Sequence, residues 1–82
     1  MAQNHKVVIY KTATCIWCHK TMDFLKANKI KFTEKDVGED EKALEEMMKK
    51  SGQRGVPVIL IDNKQVIVGF DESALRKTLG IK

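Results

Sequence analysis

Cys15 and Cys18 stand three positions apart and are the only thiols in a chain of 82 residues. A disulfide between them closes a loop of about four residues, too small to restrict the unfolded chain by much, so a structural staple is excluded. Two sulfurs also fall short of a self-contained four-cysteine zinc site. The chemistry this spacing does support is exchange. One thiolate attacks a disulfide, and the second, nearly one helical turn away, attacks the mixed disulfide that results. Cys15-Ile16-Trp17-Cys18 lies where an apolar run ends and a helical pattern begins. Free N–H groups and the positive end of the helix dipole concentrate there and favour an anion, which makes Cys15 the nucleophile and Cys18 the resolving thiol. Lys11 and Lys20 add positive field nearby.

Other readings of the same residues compete. The cysteines with His5 and His19 contain zinc-ligand types, but His19 adjoins Cys18 and points about 100° away round a helix. Cys15 to His19 also matches the C-x-x-C-H signature of c-type haem attachment. That chemistry accompanies export, whereas Met1, Ala2, Gln3, Asn4, His5 and Lys6 run directly into Val7, Val8 and Ile9 without the apolar stretch of a secretory signal. The expected compartment is therefore the reducing cytoplasm, where paired thiols need a reason other than bridging. Two incidental buried thiols are the bland reading, against which a C-x-x-C in a βαβ context weighs. A non-enzymatic module, with the cysteines sharing an ion across a dimer, is the alternative of a different class. A redox carrier is expected to be a monomer with no resident metal.

Composition fits one domain over residues 1–82, with 43% hydrophobic and 32% charged residues. A chain this short buries only roughly 60–65% of its unfolded surface, so its elements must pack efficiently. No apolar run approaches the roughly 20 residues of a membrane span. The net charge of +4 is unevenly spread. Residues 1–31 hold six lysines against Asp23, residues 32–48 hold seven acids against two lysines, and residues 49–82 are basic again. Both cysteines fall in the first basic segment, where positive charge favours a thiolate. The five aromatics are scattered, unlike the stacking platforms of nucleic-acid binders, so nucleic acid is not an expected partner.

The elements that must position the cysteines follow from periodicity. Residues 6–10 form a short β-branched apolar run, expected as a central strand buried on both faces. From Cys15 to about Asn28, Cys18, Met22 and Leu25 recur at helical spacing, with Thr14 as the expected N-cap. Residues 30–37 read as a second, edge strand. A second helix follows, with Asp40 and Glu41 near its start, Lys49 and Lys50 near its end, Gly52 as its stop, and an apolar stripe of Leu44, Met47 and Met48. Residues 57–61 and 65–68 are two strands joined by Asp62, Asn63 and Lys64, a hairpin. Asp71 or Ser73 caps a last helix that ends at Gly80. The order β-α-β-α-β-β-α makes the first two strands parallel across a right-handed crossover and adds the hairpin as an antiparallel pair.

Pro57, the only proline, stands at the start of a strand after Gly55 and Val56. As a strand-entry residue it needs no function. With a cis bond it leaves the Val56 N–H and C=O to pair with an extended substrate backbone beside the cysteines. Sequence does not fix the isomer.

Tyr10 to Cys18, then Ser51-Gly52-Gln53-Arg54-Gly55-Val56-Pro57, then Val68-Gly69-Phe70-Asp71 together resemble glutaredoxins, over residues 6–80 and in the family's order. The resemblance implies a thioredoxin-like α/β fold, a four-stranded mixed sheet with helices on both faces. It also implies a cis Pro57 and dithiol exchange, with Cys15 attacking protein or glutathione mixed disulfides and Cys18 resolving them. Glutathione, the implied reductant or substrate, would pair its backbone with Val56. It would set its γ-glutamyl carboxylate at Gly69, Phe70 and Asp71, a helix N-terminus suited to an anion. Gln53 is the implied partner of the glycyl carboxylate, Lys11 and Arg54 supply general positive charge, and Trp17 completes the surface. No tightly bound cofactor is implied.

The chain departs from that pattern at four places. Ile16-Trp17 replaces Pro-Tyr, Thr12 replaces a lysine now found at Lys11, Gly55 replaces a threonine, and Val68-Gly69 replaces a glycine pair. Weakened glutathione recognition is the expected consequence. Val68-Gly69-Phe70 also resembles NrdH-type redoxins, which draw electrons from thioredoxin reductase, although their longer Trp-Ser-Gly-Phe-Arg-Pro stretch reads Ile67-Val68-Gly69-Phe70-Asp71-Glu72 here.

Overall fold

The computed structural model describes residues 5–81. Residues 1–4, on which the expected lack of an export signal partly rests, lie outside that range, as does residue 82. Seven elements follow in the anticipated order: β1 (Val7–Lys11), α1 (Ile16–Ala27), β2 (Thr33–Asp36), α2 (Glu41–Ser51), β3 (Val58–Ile61), β4 (Gln65–Val68) and α3 (Glu72–Leu79). The sheet order is β2-β1-β3-β4. β1 runs parallel to β2 and antiparallel to β3, and β3 and β4 form the antiparallel hairpin.

Continuous apolar runs mark the two inner strands, because a strand covered on both faces has no solvent side to alternate with. Alternate residues then serve opposite layers. Val7, Ile9, Ile59 and Ile61 pack with Met22 and Leu25 of α1 and Leu75 of α3. Val8, Tyr10, Val58 and Leu60 face the other way, onto Ala43 and Met47 of α2. Helices therefore cover both faces of the mixed sheet. Tyr10 is buried in the second layer, and its hydroxyl donates to Glu46 Oε1 at 2.6 Å, which ties the sheet to α2. Burial and that carboxylate push the phenol well above its ordinary range.

Three local expectations need correcting. β2 is confined to Thr33–Asp36, because Ile30 and Phe32 turn aside to pack on the α1 layer instead of joining the edge. The buried stripe of α2 is Ala43 and Met47, with Leu44 and Met48 only partly covered. A small residue lets the helix approach the sheet closely, and the larger side chains splay to the rim. Finally, Cys15 itself, not Thr14, caps α1. At the hairpin tip Asp62 and Asn63 have φ of 56° and 58°, a left-handed pair that suits the right-handed twist of the strands.

Candidate active site

The C-terminal end of β1, the start of β3 and the end of β4 meet at one end of the sheet, where α1 and α3 also begin. Cys15 takes an extended conformation just before α1, and its Sγ accepts the Cys18 N–H at 3.1 Å. Its own N–H donates to the Thr12 carbonyl at 3.3 Å. The sulfur thus occupies the capping position that a serine or threonine oxygen ordinarily fills, and the Cys18 N–H of the first turn points at it. Cys15 is partly exposed, whereas Cys18 is buried with 0% of its surface accessible.

That contrast in burial gives the two thiols different chemistry. Burial pushes the Cys18 thiol up to about 12, and the hydrogen bond with Cys15 reinforces the rise. A backbone hydrogen bond from Thr12 and the charge of Lys11 pull the other way. Brief treatment of the reduced protein with iodoacetamide at neutral pH is accordingly expected to add one carbamidomethyl group, on Cys15, with Cys18 modified only after unfolding. Peptide mass mapping reads the result, and equal labelling of both thiols would contradict the assigned exposure.

Across from Cys15 the Val56–Pro57 peptide is cis. The Val56 carbonyl was expected to be free, but it accepts the Cys15 thiol at 3.9 Å, a weak sulfur hydrogen bond. A thiolate has no proton to give, so ionisation of Cys15 releases this carbonyl for another donor. Trp17, Val56, Pro57, Gly69 and Phe70 line a groove of about 280 Å³ beside the sulfur. Gly69 has φ of 80°, which a residue with a Cβ adopts at a cost, and donates its N–H to the Pro57 carbonyl at 2.8 Å. The turn from β4 into α3 is thereby fixed against the proline.

Five of the anticipated site residues therefore converge with Cys15 and Cys18, and four do not line the groove. Lys11 is held by β2, with its Nζ 3.6 Å from Glu34 and 3.5 Å from Asp36. Gln53 folds back on its own loop, where Oε1 accepts the Gly55 N–H at 2.6 Å and Nε2 donates to the Gly55 carbonyl at 3.0 Å. Arg54 is exposed on that loop. Asp71, the cap of α3 in preference to Ser73, accepts the Ala74 N–H at 3.0 Å and so places a carboxylate at the helix end where one was expected from a ligand.

Sequence reading named Trp17, Phe70 and Lys20 but missed how they and their neighbours meet. Ile16 is 69% exposed and Trp17 56% exposed, an apolar pair next to Cys15 in the chain. Trp17 meets Phe70 in a tilted pair, 35° between planes and 6.5 Å between ring centroids, and Phe70 in turn meets Phe24 edge-on at 5.7 Å. Lys20 Nζ lies 4.8 Å over the Trp17 ring. The i, i+3 spacing of Trp17 and Lys20 was a legible signal for that contact, but the pairing with Phe70 is long-range and was not. His19 bonds the Ala13 carbonyl at 2.9 Å and His5 pairs with Asp62 at 2.7 Å. Among the described residues no group of three or more His, Cys, Asp or Glu side chains is arranged to hold a metal ion, and no helix is long and apolar enough to cross a membrane.

Comparison with known proteins bears on the same arrangement. The family model Glutaredoxin matches residues 7–66. An uncharacterized glutaredoxin-like 8.6 kDa protein in the rubredoxin operon of Clostridium pasteurianum is 45% identical over 73 residues, 89% of this chain and 96% of that protein. Glutaredoxin 3 of Escherichia coli K12 is 38% identical over 66 residues, 80% of this chain and 78% of the relative. In structure, the glutaredoxin of Methanosarcina mazei Go1 superposes with a TM-score of 0.82 at 32% identity, over 94% of this chain and 86% of the other.

Proposed function

Because the chain belongs to the glutaredoxin family, we propose that it is a dithiol thiol–disulfide oxidoreductase that reduces protein or glutathione mixed disulfides through Cys15 and Cys18. The observation that carries this reading is the pairing of a partly exposed sulfur at the tip of α1 with a buried thiol whose N–H it accepts. The Cys15 thiolate attacks one sulfur of the substrate disulfide, forms a mixed disulfide and expels the other sulfur as a thiolate. Cys18, once deprotonated, attacks Cys15 Sγ. The Cys15–Cys18 disulfide forms and the second substrate thiolate leaves, so two electrons pass from the dithiol to the substrate. No tightly bound cofactor takes part, and the protein works as a cytoplasmic monomer.

The electron source has two readings. Glutathione is the reductant the family implies. The absence of any charged side chain from the groove lining, with Lys11 and Gln53 engaged elsewhere, favours recycling by thioredoxin reductase as in NrdH-type redoxins. Oxidised protein offered in parallel to NADPH with glutathione and glutathione reductase, and to NADPH with thioredoxin reductase, is expected to regain both thiols in at least one system. Turnover confined to one identifies the donor, and a protein left oxidised by both contradicts the redox reading.

A further inference from the structure

We infer that the groove beside Cys15 selects protein disulfides in which an apolar or aromatic side chain flanks the attacked cysteine, in preference to glutathione adducts; this rests on the dithiol reading above. Whatever is bonded to the sulfur that Cys15 attacks must lie within one residue of Cys15 Sγ, and the space there is the groove. The walls are Trp17, Val56, Pro57, Gly69 and Phe70, with no ionisable side chain among them. The exposed faces of Ile16 and Trp17 extend that apolar surface past the sulfur. The indole is backed by Phe70, itself set against Phe24, so the wall is supported and offers a pre-formed face.

Glutathione presents two carboxylates and little apolar surface. Arg54 is exposed on its loop, but it does not line the groove, and the other groups that would receive those carboxylates are engaged elsewhere. The Gln53 amide satisfies its own loop, Lys11 is shared between Glu34 and Asp36, and the α3 cap holds the carboxylate of Asp71. A ligand carboxylate at α3 would meet Asp71 and Glu72. An apolar side chain removed from water against Trp17 and Phe70 gains where the charged tripeptide does not.

The test uses mixed disulfides of 2-nitro-5-thiobenzoate with short peptides of the form Gly-X-Cys-Gly and with glutathione. Cys15 attacks the peptide sulfur, the nitrothiobenzoate leaves as a coloured thiolate, and the peptide stays on Cys15 in the groove. Stopped-flow rates with reduced protein are expected to be about tenfold or more higher for X = Phe or Leu than for X = Gly or for glutathione, the scale on which one apolar group discriminates. In Trp17→Ala the Phe-to-Gly rate ratio should fall towards one, and in Trp17→Phe most of it should return. Equal rates across the peptides, or glutathione reacting fastest, would overturn the selectivity and leave the dithiol reading standing. Colour released from no adduct would overturn both.

Discussion

Cys15→Ser is expected to lose disulfide reduction by on the order of 10³-fold or more, the scale seen when a covalent nucleophile is removed. A serine hydroxyl stays protonated at neutral pH and is a far poorer nucleophile than a thiolate, so the attacking species is absent. The loss should be chemical, with the fold kept. Serine is a preferred N-cap, and its oxygen can accept the Cys18 N–H that Cys15 Sγ accepts at 3.1 Å. Thermal unfolding of the reduced variant should therefore match that of the reduced parent closely. Cys15→Ala is the control that separates the two effects, since it removes the cap as well and should cost about 1 kcal/mol of stability. Insulin turbidity and release of thiol from a mixed-disulfide substrate both read activity. Retained turnover in Cys15→Ser would show that the nucleophile has been misplaced.

The different placement of the two thiols was legible because it depends on local features. A strand end, a helix start and a three-residue offset dictate which sulfur is at the tip and which lies inward, and the structure buries Cys18, Met22 and Leu25 on one face as the spacing requires. The inner place of β1 and the edge place of β2 were legible for a similar reason: an unbroken apolar run identifies a strand covered on both faces, whereas the pairing of β3 with β1 was not read from sequence. What could not be read were contacts set by distant partners. Lys11 is two residues past Ile9 in the basic segment and looked available to the site, yet the parallel pairing of β1 with β2 brings Glu34 and Asp36 alongside it. Gln53 was matched by its position in a motif, but its side chain is consumed by a backbone two residues away, where a Cβ on Gly55 would lie 2.7 Å from Oε1. The Trp17–Phe70 wall joins residues 53 positions apart, and no periodicity encodes that.

Replacing Cys18 tests the second half of the exchange. Cys18→Ser is expected to arrest the protein as a one-to-one mixed disulfide with its substrate, visible as a mass increase by the substrate thiol and discharged by added dithiothreitol. The parent should show no such adduct under the same conditions, and turnover by the variant at the parental rate without one would mean that an external thiol, not Cys18, normally completes the reaction. The pH dependence of the parental second step follows from what raises Cys18. Burial is the largest cause and the reduced Cys15 adds to it through its hydrogen bond and charge, holding the free dithiol's Cys18 up at about 12. In the mixed disulfide Cys15 has neither a thiol proton nor a charge, so both of its contributions vanish. The Thr12 backbone and Lys11 still favour the anion, and Cys18 titrates lower than in the resting protein. Because the thiolate fraction of an acid grows as pH rises towards its pKa, release of substrate thiol from a pre-formed Cys15 adduct should accelerate about tenfold per pH unit above neutrality, and level off below the resting protein's value of about 12. A release rate flat from pH 6 to about 9 would mean that a conformational step, and not ionisation of Cys18, limits resolution.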